Sequence, residues 1–125
     1  MNHDSLTAAL NASKNWIKHF NRGDVDYCIS AYTPNAFLEA KSLGEYSGRK
    51  MIDNFWRPFV LSGATDLNYS NIWLKLIDEN TVHLGADWSM NVGRGVITLE
   101  KWVKTESGTW KLLLDHFEIQ QQFDD

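Results

Sequence analysis

Up to about Leu61 most apolar positions recur every three or four residues, and beyond Asp66 they recur every two. The first regime predicts helices and the second predicts strands. Leu6, Leu10, Ser13, Ile17 and Phe20 fall at helical spacing behind a candidate N-cap, Ser5, with Trp16 alongside. Asn21-Arg22-Gly23 stops that helix, Gly23 acting as the C-cap. Asp24 then caps a short second helix with inner face Val25, Cys28, Ile29 and Tyr32, ended by Pro34. A short strand is expected over 37–41, followed by a turn-rich segment around Gly44 and Gly48. A third helix carries Met51, Ile52, Phe55, Trp56, Phe59 and Val60; Pro58 is expected to kink or end it, and Ser62-Gly63 to close it.

Alternation predicts strands over 66–77, 81–92, 95–104 and 109–120, separated by the hairpin signals Asp78-Glu79-Asn80, Gly93-Arg94 and Glu106-Ser107-Gly108. Helices first and an antiparallel meander second make the fold class α+β. In 81–92 the even positions Val82, Leu84, Ala86, Trp88, Met90 and Val92 are apolar, while the odd ones are small or polar, so one face packs on the helices. The next strands are two-sided: Ile97, Leu99 and Val103 alternate against Val96, Thr98, Glu100 and Trp102, and Leu112-Leu113-Leu114 repeats the pattern. Three helices cover one face only. A second subunit is therefore expected on the outer face, as an isologous homodimer.

Composition adds one surplus. Six Trp, four Tyr and six Phe in 125 residues are more ring than a plain core needs, since each buries about 150–250 Å². A pocket or a partner surface must be lined with rings. The length fits one domain over 1–125, and the 43% hydrophobic and 22% charged fractions are those of a globular chain. No apolar run approaches the roughly 18 residues of a membrane span, and Met1-Asn2-His3-Asp4 lacks the pattern of a signal peptide. A net charge of −4 argues against nucleic acid as a partner. The single cysteine, Cys28, excludes an internal disulfide and a Cys-based zinc site, and reads as a small core residue. His3 and His19 show no ligand spacing, so no metal is expected. A cytoplasmic protein is the default, and Asp124-Asp125 reads as a frayed end.

Four stretches carry a resemblance: Phe20-Asn21-Arg22-Gly23-Asp24-Val25-Asp26, Tyr32-Thr33-Pro34-Asn35-Ala36, Gly48-Arg49, and Gly108-Thr109-Trp110-Lys111 through Asp115-His116-Phe117. In this order, over nearly the whole chain, they resemble the SnoaL-like and ketosteroid-isomerase-like branch of the nuclear transport factor 2-like superfamily. The resemblance implies three N-terminal helices in the concave face of a strongly curved, mainly antiparallel sheet, a cone whose mouth is a ligand pocket. It does not fix a function, because such proteins include isomerases, cyclases, hydrolases, dehydratases, binders and oligomerisation modules. The base of the family's steroid isomerases would fall at Ala40, with Glu39 one residue off and on the opposite face. The oxyanion-hole tyrosine of the first helix has no counterpart, Trp16 lying nearest. Ketosteroid isomerase activity itself is excluded on these grounds.

A second acid of that family falls at Glu100. If Ser107-Gly108 forms a two-residue turn, Glu100 lies directly opposite Asp115, and two carboxyls on neighbouring Cβ atoms about 5 Å apart cannot both ionise cheaply. One would hold a proton near neutral pH and give an acid/base pair. If a bulged three-residue turn intervenes, Glu100 faces Leu114 and comes diagonally near His116. The competing reading makes both acids solvent-facing, paired with Lys101 or Lys111. His116 should face the opposite side from Asp115, at an interface or in a satisfied core position. His83 and Asp87 fall on the polar face. No nucleophile elbow or phosphate-binding loop occurs, Gly93-Arg94-Gly95 lacking a following helix. Phe55, Trp56, Phe59, Trp88, Met90, Trp102 and Phe117 converge by face on the cone interior, with Trp16 and Tyr32 closing its floor or side. Trp73 and Trp110 fit interface or core equally. The expectation is a small-molecule-binding protein for an apolar or cyclic metabolite, needing no cofactor, with Asp115 and Glu100 as candidate catalytic groups. The alternative is a non-catalytic binding or oligomerisation module.

Overall fold

The change from helical to alternating periodicity falls where the third helix ends in the computed structural model, which describes residues 2–123 and side chains from 4 to 123. The side chain of His3, and Asp124-Asp125, lie outside the described residues. The elements are α1 (Asn2–Asn21), α2 (Val25–Ser30), β1 (Tyr32–Lys41), β2 (Gly44–Ser47), α3 (Gly48–Leu61), β3 (Asn68–Asp78), β4 (Thr81–Met90), β5 (Gly93–Lys104) and β6 (Trp110–Gln122). The six strands form one curved sheet in the order β2-β1-β6-β5-β4-β3. All neighbours are antiparallel except β1 and β6, which pair in parallel.

Several local expectations need correction. Ser5 lies inside α1 rather than capping it, and its hydroxyl donates to the Glu79 carbonyl at 2.7 Å. Tyr32 is the first residue of β1, not the last turn of α2, and Pro34 lies within that strand. Pro34 is tolerated where the β1–β6 pairing is interrupted, between Tyr32 and Phe37. Pro58 does not end α3, which runs to Leu61, because only the missing N–H bond of one turn is lost so close to the C-terminus. The turn-rich segment from Gly44 is a further short strand, β2, paired against β1. The turn between β4 and β5 is Asn91-Val92, and Gly93-Arg94 already belong to β5.

The caps and ties that set the frame are readable in the chain. The Asp24 side chain accepts from the Tyr27 N–H at 3.2 Å, capping α2. Asn21 donates to the Leu67 carbonyl and accepts from the Leu67 N–H, at 3.0 and 2.7 Å, joining the end of α1 to the approach of β3. Arg49 donates through Nε and Nη2 to the Tyr32 carbonyl, at 2.9 and 2.6 Å, locking the start of α3 to the start of β1. The core lies between the helices and the concave face: Trp16 and Phe20 of α1, Cys28 of α2, Ile52 and Trp56 of α3, Leu38 and Ala40 of β1, Val82 and Leu84 of β4, Trp102 of β5 and Leu112 of β6 are all buried. Cys28 is a core residue whose thiol burial pushes up to about 12.

Candidate functional site

The last hairpin decides the site. Its turn is the longer form: Thr105 and Thr109 close it through backbone bonds, and Gly108 takes the left-handed conformation at φ 87°. That turn alone would set Glu100 against Leu114. Two bulges intervene. Trp102 pairs with Leu112 but Lys101 with Leu114, leaving Leu113 as an extra residue on β6. Leu99 pairs with His116 but Ile97 with Phe117, leaving Thr98 as an extra residue on β5. Between them, three rungs are displaced, and the middle one is Glu100 opposite Asp115. Bulges of this kind bend a strand and re-aim its side chains. The same bulge corrects the face assignment of β5: Ile97, Glu100 and Trp102 point inward, whereas Val96 is half-buried and Thr98 exposed on the other side.

Both acids are almost fully enclosed, Glu100 at 3% and Asp115 at 4% exposure. Glu100 is held by three donors: Trp102 Nε1 at 2.7 Å and Ser13 Oγ at 3.2 Å to Oε1, and the Tyr69 hydroxyl at 2.6 Å to Oε2. Asp115 accepts from the Tyr32 hydroxyl alone among the described residues, at 2.6 Å through Oδ2, and that hydroxyl accepts from Trp56 Nε1 at 3.0 Å. Burial, then the neighbouring Glu100 charge, pushes the Asp115 carboxyl up to about 8, against the opposing Tyr32 hydrogen bond. Burial also raises Glu100, but its three donors oppose the shift. The pair therefore shares one proton near neutral pH, and Asp115, with one donor against the three at Glu100, is the member that favours it. Tyr32 and Tyr69 are held well above the ordinary phenol range, chiefly by burial and the acids beside them, so both hydroxyls stay donors.

The acids open onto a cavity of about 520 Å³ between the helices and the sheet, within the size range of small-molecule sites. Trp16, Phe55, Trp56, Phe59, Trp88, Met90, Trp102 and Phe117 line it together with Glu100 and Asp115. Tyr32 does not line the cavity. It stands behind Asp115 as its donor. The rings form a connected layer: Trp56 lies 5.4 Å from Trp16, 4.8 Å from Phe55 and 5.7 Å from Phe117 between centroids. Trp88 crosses β5 to donate to the Glu118 carbonyl at 3.1 Å, which works only because Gly95 beneath it has no side chain. Tyr69, Tyr46 and Ser13 were missed as site residues. Tyr69 could have been found by pairing β3 with β4, since it lies opposite the inward Trp88. Ala40 lies buried opposite Phe117, so the position of the steroid-isomerase base carries no acid. His116 is on the outer face against Phe37, its Nε2 buried without a partner among the described residues. His83 faces outward between Lys75 and Lys101, and Asp87 accepts from Asn71. Among the described residues, no three metal-ligating side chains converge, and no helix is long and apolar enough to cross a membrane.

No protein-family model matches the sequence, and no curated protein does. Solved structures do match. A protein assigned as a scytalone dehydratase from Novosphingobium aromaticivorans superposes with a TM-score of 0.85 at 12% identity, covering 99% of this chain and 89% of that one. A ketosteroid isomerase-like protein from Erwinia carotovora atroseptica gives 0.79 at 15% identity, covering 93% and 96%. A protein from Streptomyces avermitilis assigned as a dehydratase of the nuclear transport factor 2-like family gives 0.80 at 12% identity, covering 95% and 98%. The chain has the nuclear transport factor 2-like fold. At these identities the likeness concerns architecture. Within that nuclear transport factor 2-like frame, the acid pair and its tyrosine donors are features of this chain's own residues.

Proposed function

We propose that residues 1–125 act as one small-molecule-binding domain whose cavity takes a mostly apolar, ring-bearing metabolite, with Asp115 and Glu100 as its acid/base pair. The observation that carries this reading is two carboxyls, Asp115 and Glu100, enclosed opposite one another at the wall of a ring-lined cavity of about 520 Å³. Trp16, Phe55, Trp56, Phe59, Trp88, Met90, Trp102 and Phe117 supply the ligand-binding wall, and Tyr32 positions Asp115 from behind. Asp115 is the proton-exchanging group because Glu100 is already engaged by three donors. A cofactor-independent isomerase, hydrolase or dehydratase fits these parts. In a dehydration, for example, Asp115 gives its proton to a departing hydroxyl, which leaves as water, and the resulting carboxylate removes the proton from the adjacent carbon.

A homodimer through the outer sheet face belongs to the same reading. Its support is the half-buried apolar row Phe37, Leu99 and Leu114 and the exposed Trp73 and Ile77 on that face. The lone buried thiol of Cys28 suits a reducing compartment such as the cytoplasm. A second reading, binding without turnover, is favoured by Ala40 at the place of the steroid-isomerase base. The test is a turnover screen of cyclic alcohols, ketones and epoxides with the native protein and Asp115→Asn. Turnover lost in the variant with binding kept supports catalysis by Asp115. Equal turnover in both removes Asp115 from the mechanism, and binding without turnover in either selects the second reading.

A further inference from the structure

The hydrogen-bond inventory of the cavity is one-sided. Four indoles line it, and every one of their N–H groups is already committed: Trp16 to the Cys28 carbonyl at 3.1 Å, Trp56 to Tyr32, Trp88 to Glu118, and Trp102 to Glu100. The Tyr69 hydroxyl is spent on Glu100 as well. An indole whose N–H is engaged offers a ligand only its ring face, which is electron-rich. No Lys, Arg or His lines the cavity among the described residues, whereas two carboxyls do. An entering molecule therefore meets carboxylate oxygens and π faces, with donors left only at Tyr46 and Asn54 and on the proton the acids share.

That surface discriminates by charge. A carboxylate or phosphate ligand would face Glu100 with no cation to compensate, at a high desolvation cost. A neutral ring gains apolar contact and little more. An organic cation gains the carboxylates as counter-ions and the ring faces as a cation–π wall, both strengthened by exclusion of water.

We propose that the cavity selects a ring-bearing aliphatic amine bound as its ammonium ion, seated between the Glu100/Asp115 pair and the indole faces. This rests on the reading that the cavity is a ligand site, and it names the class of ligand. The charge balance has a consequence. With one proton shared by two acids, the resting pair carries a single negative charge. An arriving ammonium stabilises the second carboxylate, so the proton on Asp115 leaves to solvent as the amine binds. The titratable groups facing it are Glu100, Asp115, Tyr69 and, behind Asp115, Tyr32. Both phenols are held well above the ordinary range, so Asp115 is the source.

The experiment uses one ring in three charge states: tryptamine, tryptophol and indole-3-acetate, titrated calorimetrically into the full-length protein near pH 7. Tryptamine is expected to bind at least about tenfold tighter than tryptophol, and indole-3-acetate weaker than both. Repeating the titration in buffers of different ionisation enthalpy should show proton release with tryptamine and none with tryptophol. Asp115→Asn should weaken tryptamine more than tryptophol and abolish the proton release; the buffer comparison on the native protein stands even if that variant folds poorly. Tryptophol binding as tightly as tryptamine, or indole-3-acetate binding best, overturns the amine assignment while leaving the cavity a ligand site. Failure of all three to bind overturns both.

Discussion

The two faces of the same sheet solve opposite problems with similar residues. On the concave side Trp102, at 1% exposure, donates to a buried carboxylate. On the convex side Trp73, at 47%, lies flat over Gly85 with solvent above it. The concave face buries two acids without a cation and neutralises them with hydroxyl and indole donors. On the convex face charges stay wet, with Lys75, His83 and Lys101 side by side across β3, β4 and β5 and Lys41 paired with Glu118 at 3.3 Å. Burial pushes the acids of the first face up. His83 on the second is pushed down by partial burial and by the two lysines beside it. What separates the faces is solvent, since apolar and titratable side chains occur on both.

The largest break in this contrast should come from Trp102→Ala, which removes a core ring and one of the three donors to Glu100. A loss of about 3–5 kcal/mol is expected in denaturant unfolding. Gly95→Ala should follow, at about 3 kcal/mol or more. Its new Cβ would fall inside contact distance of the Glu118 carbonyl oxygen and of the Trp88 ring, and backbone cannot step aside as a side chain can. The third prediction concerns pH. Asp115 binds its proton more tightly folded than unfolded, so stability is greatest below the ordinary carboxyl range and falls as pH rises toward about 8. Glu100 acts in the same direction. Unfolding free energies measured between about pH 5 and about pH 8 should drop by of order 3–4 kcal/mol, and Asp115→Asn should flatten most of that slope.

Tyr32→Phe should cost about 1–2 kcal/mol, since it strands the Trp56 N–H and removes the one donor to Asp115 among the described residues. It should also move the pH-dependent fall upward, because that hydrogen bond lowers Asp115. Trp73→Ala closes the series at under about 1 kcal/mol in dilute protein. A concentration-dependent loss at Trp73, followed by light scattering, would instead reveal a partner on the convex face.

How far the chain could be read ahead of its structure divides along the same line. The stops at Gly23 and Gly63, the cap at Asp24, the amphipathic α3 and the four late strands follow from local spacing, and local spacing is what periodicity reports. Trp88 could be placed inward because its strand alternates cleanly, whereas the two-sided β5 and β6 left Val96 and Thr98 on the wrong face. Tyr32 was misplaced on α2 because it fits a helical stripe and a strand start equally. What moved it was a non-local tie, the bonds of Arg49 and Leu112 to the carbonyls around it. Tyr69 and Ser13 come to Glu100 from elements 31 and 87 residues away in the chain, and no window on the sequence contains such a meeting. Counted from the turn alone, Glu100 meets Asp115 only if that turn is the short one. The turn is the long one, and the Leu113 bulge restores the pairing.

The displaced rungs between Thr98 and Leu113 have a consequence beyond this molecule's present chemistry. The two extra residues cancel, so the pairing resumes its first phase from Ile97 to Gly95 and shifts again only at the far end, between Gly95 and Arg94. A slide of that window by one residue, roughly 3.3 Å, would turn Asp115 outward and bring Leu114 and His116 toward Glu100 without altering the turn. An acid–acid site would become an acid–imidazole site by slippage, with no substitution at all. The placement of slack in one hairpin is then as much a determinant of reactivity as the identity of the residues it carries.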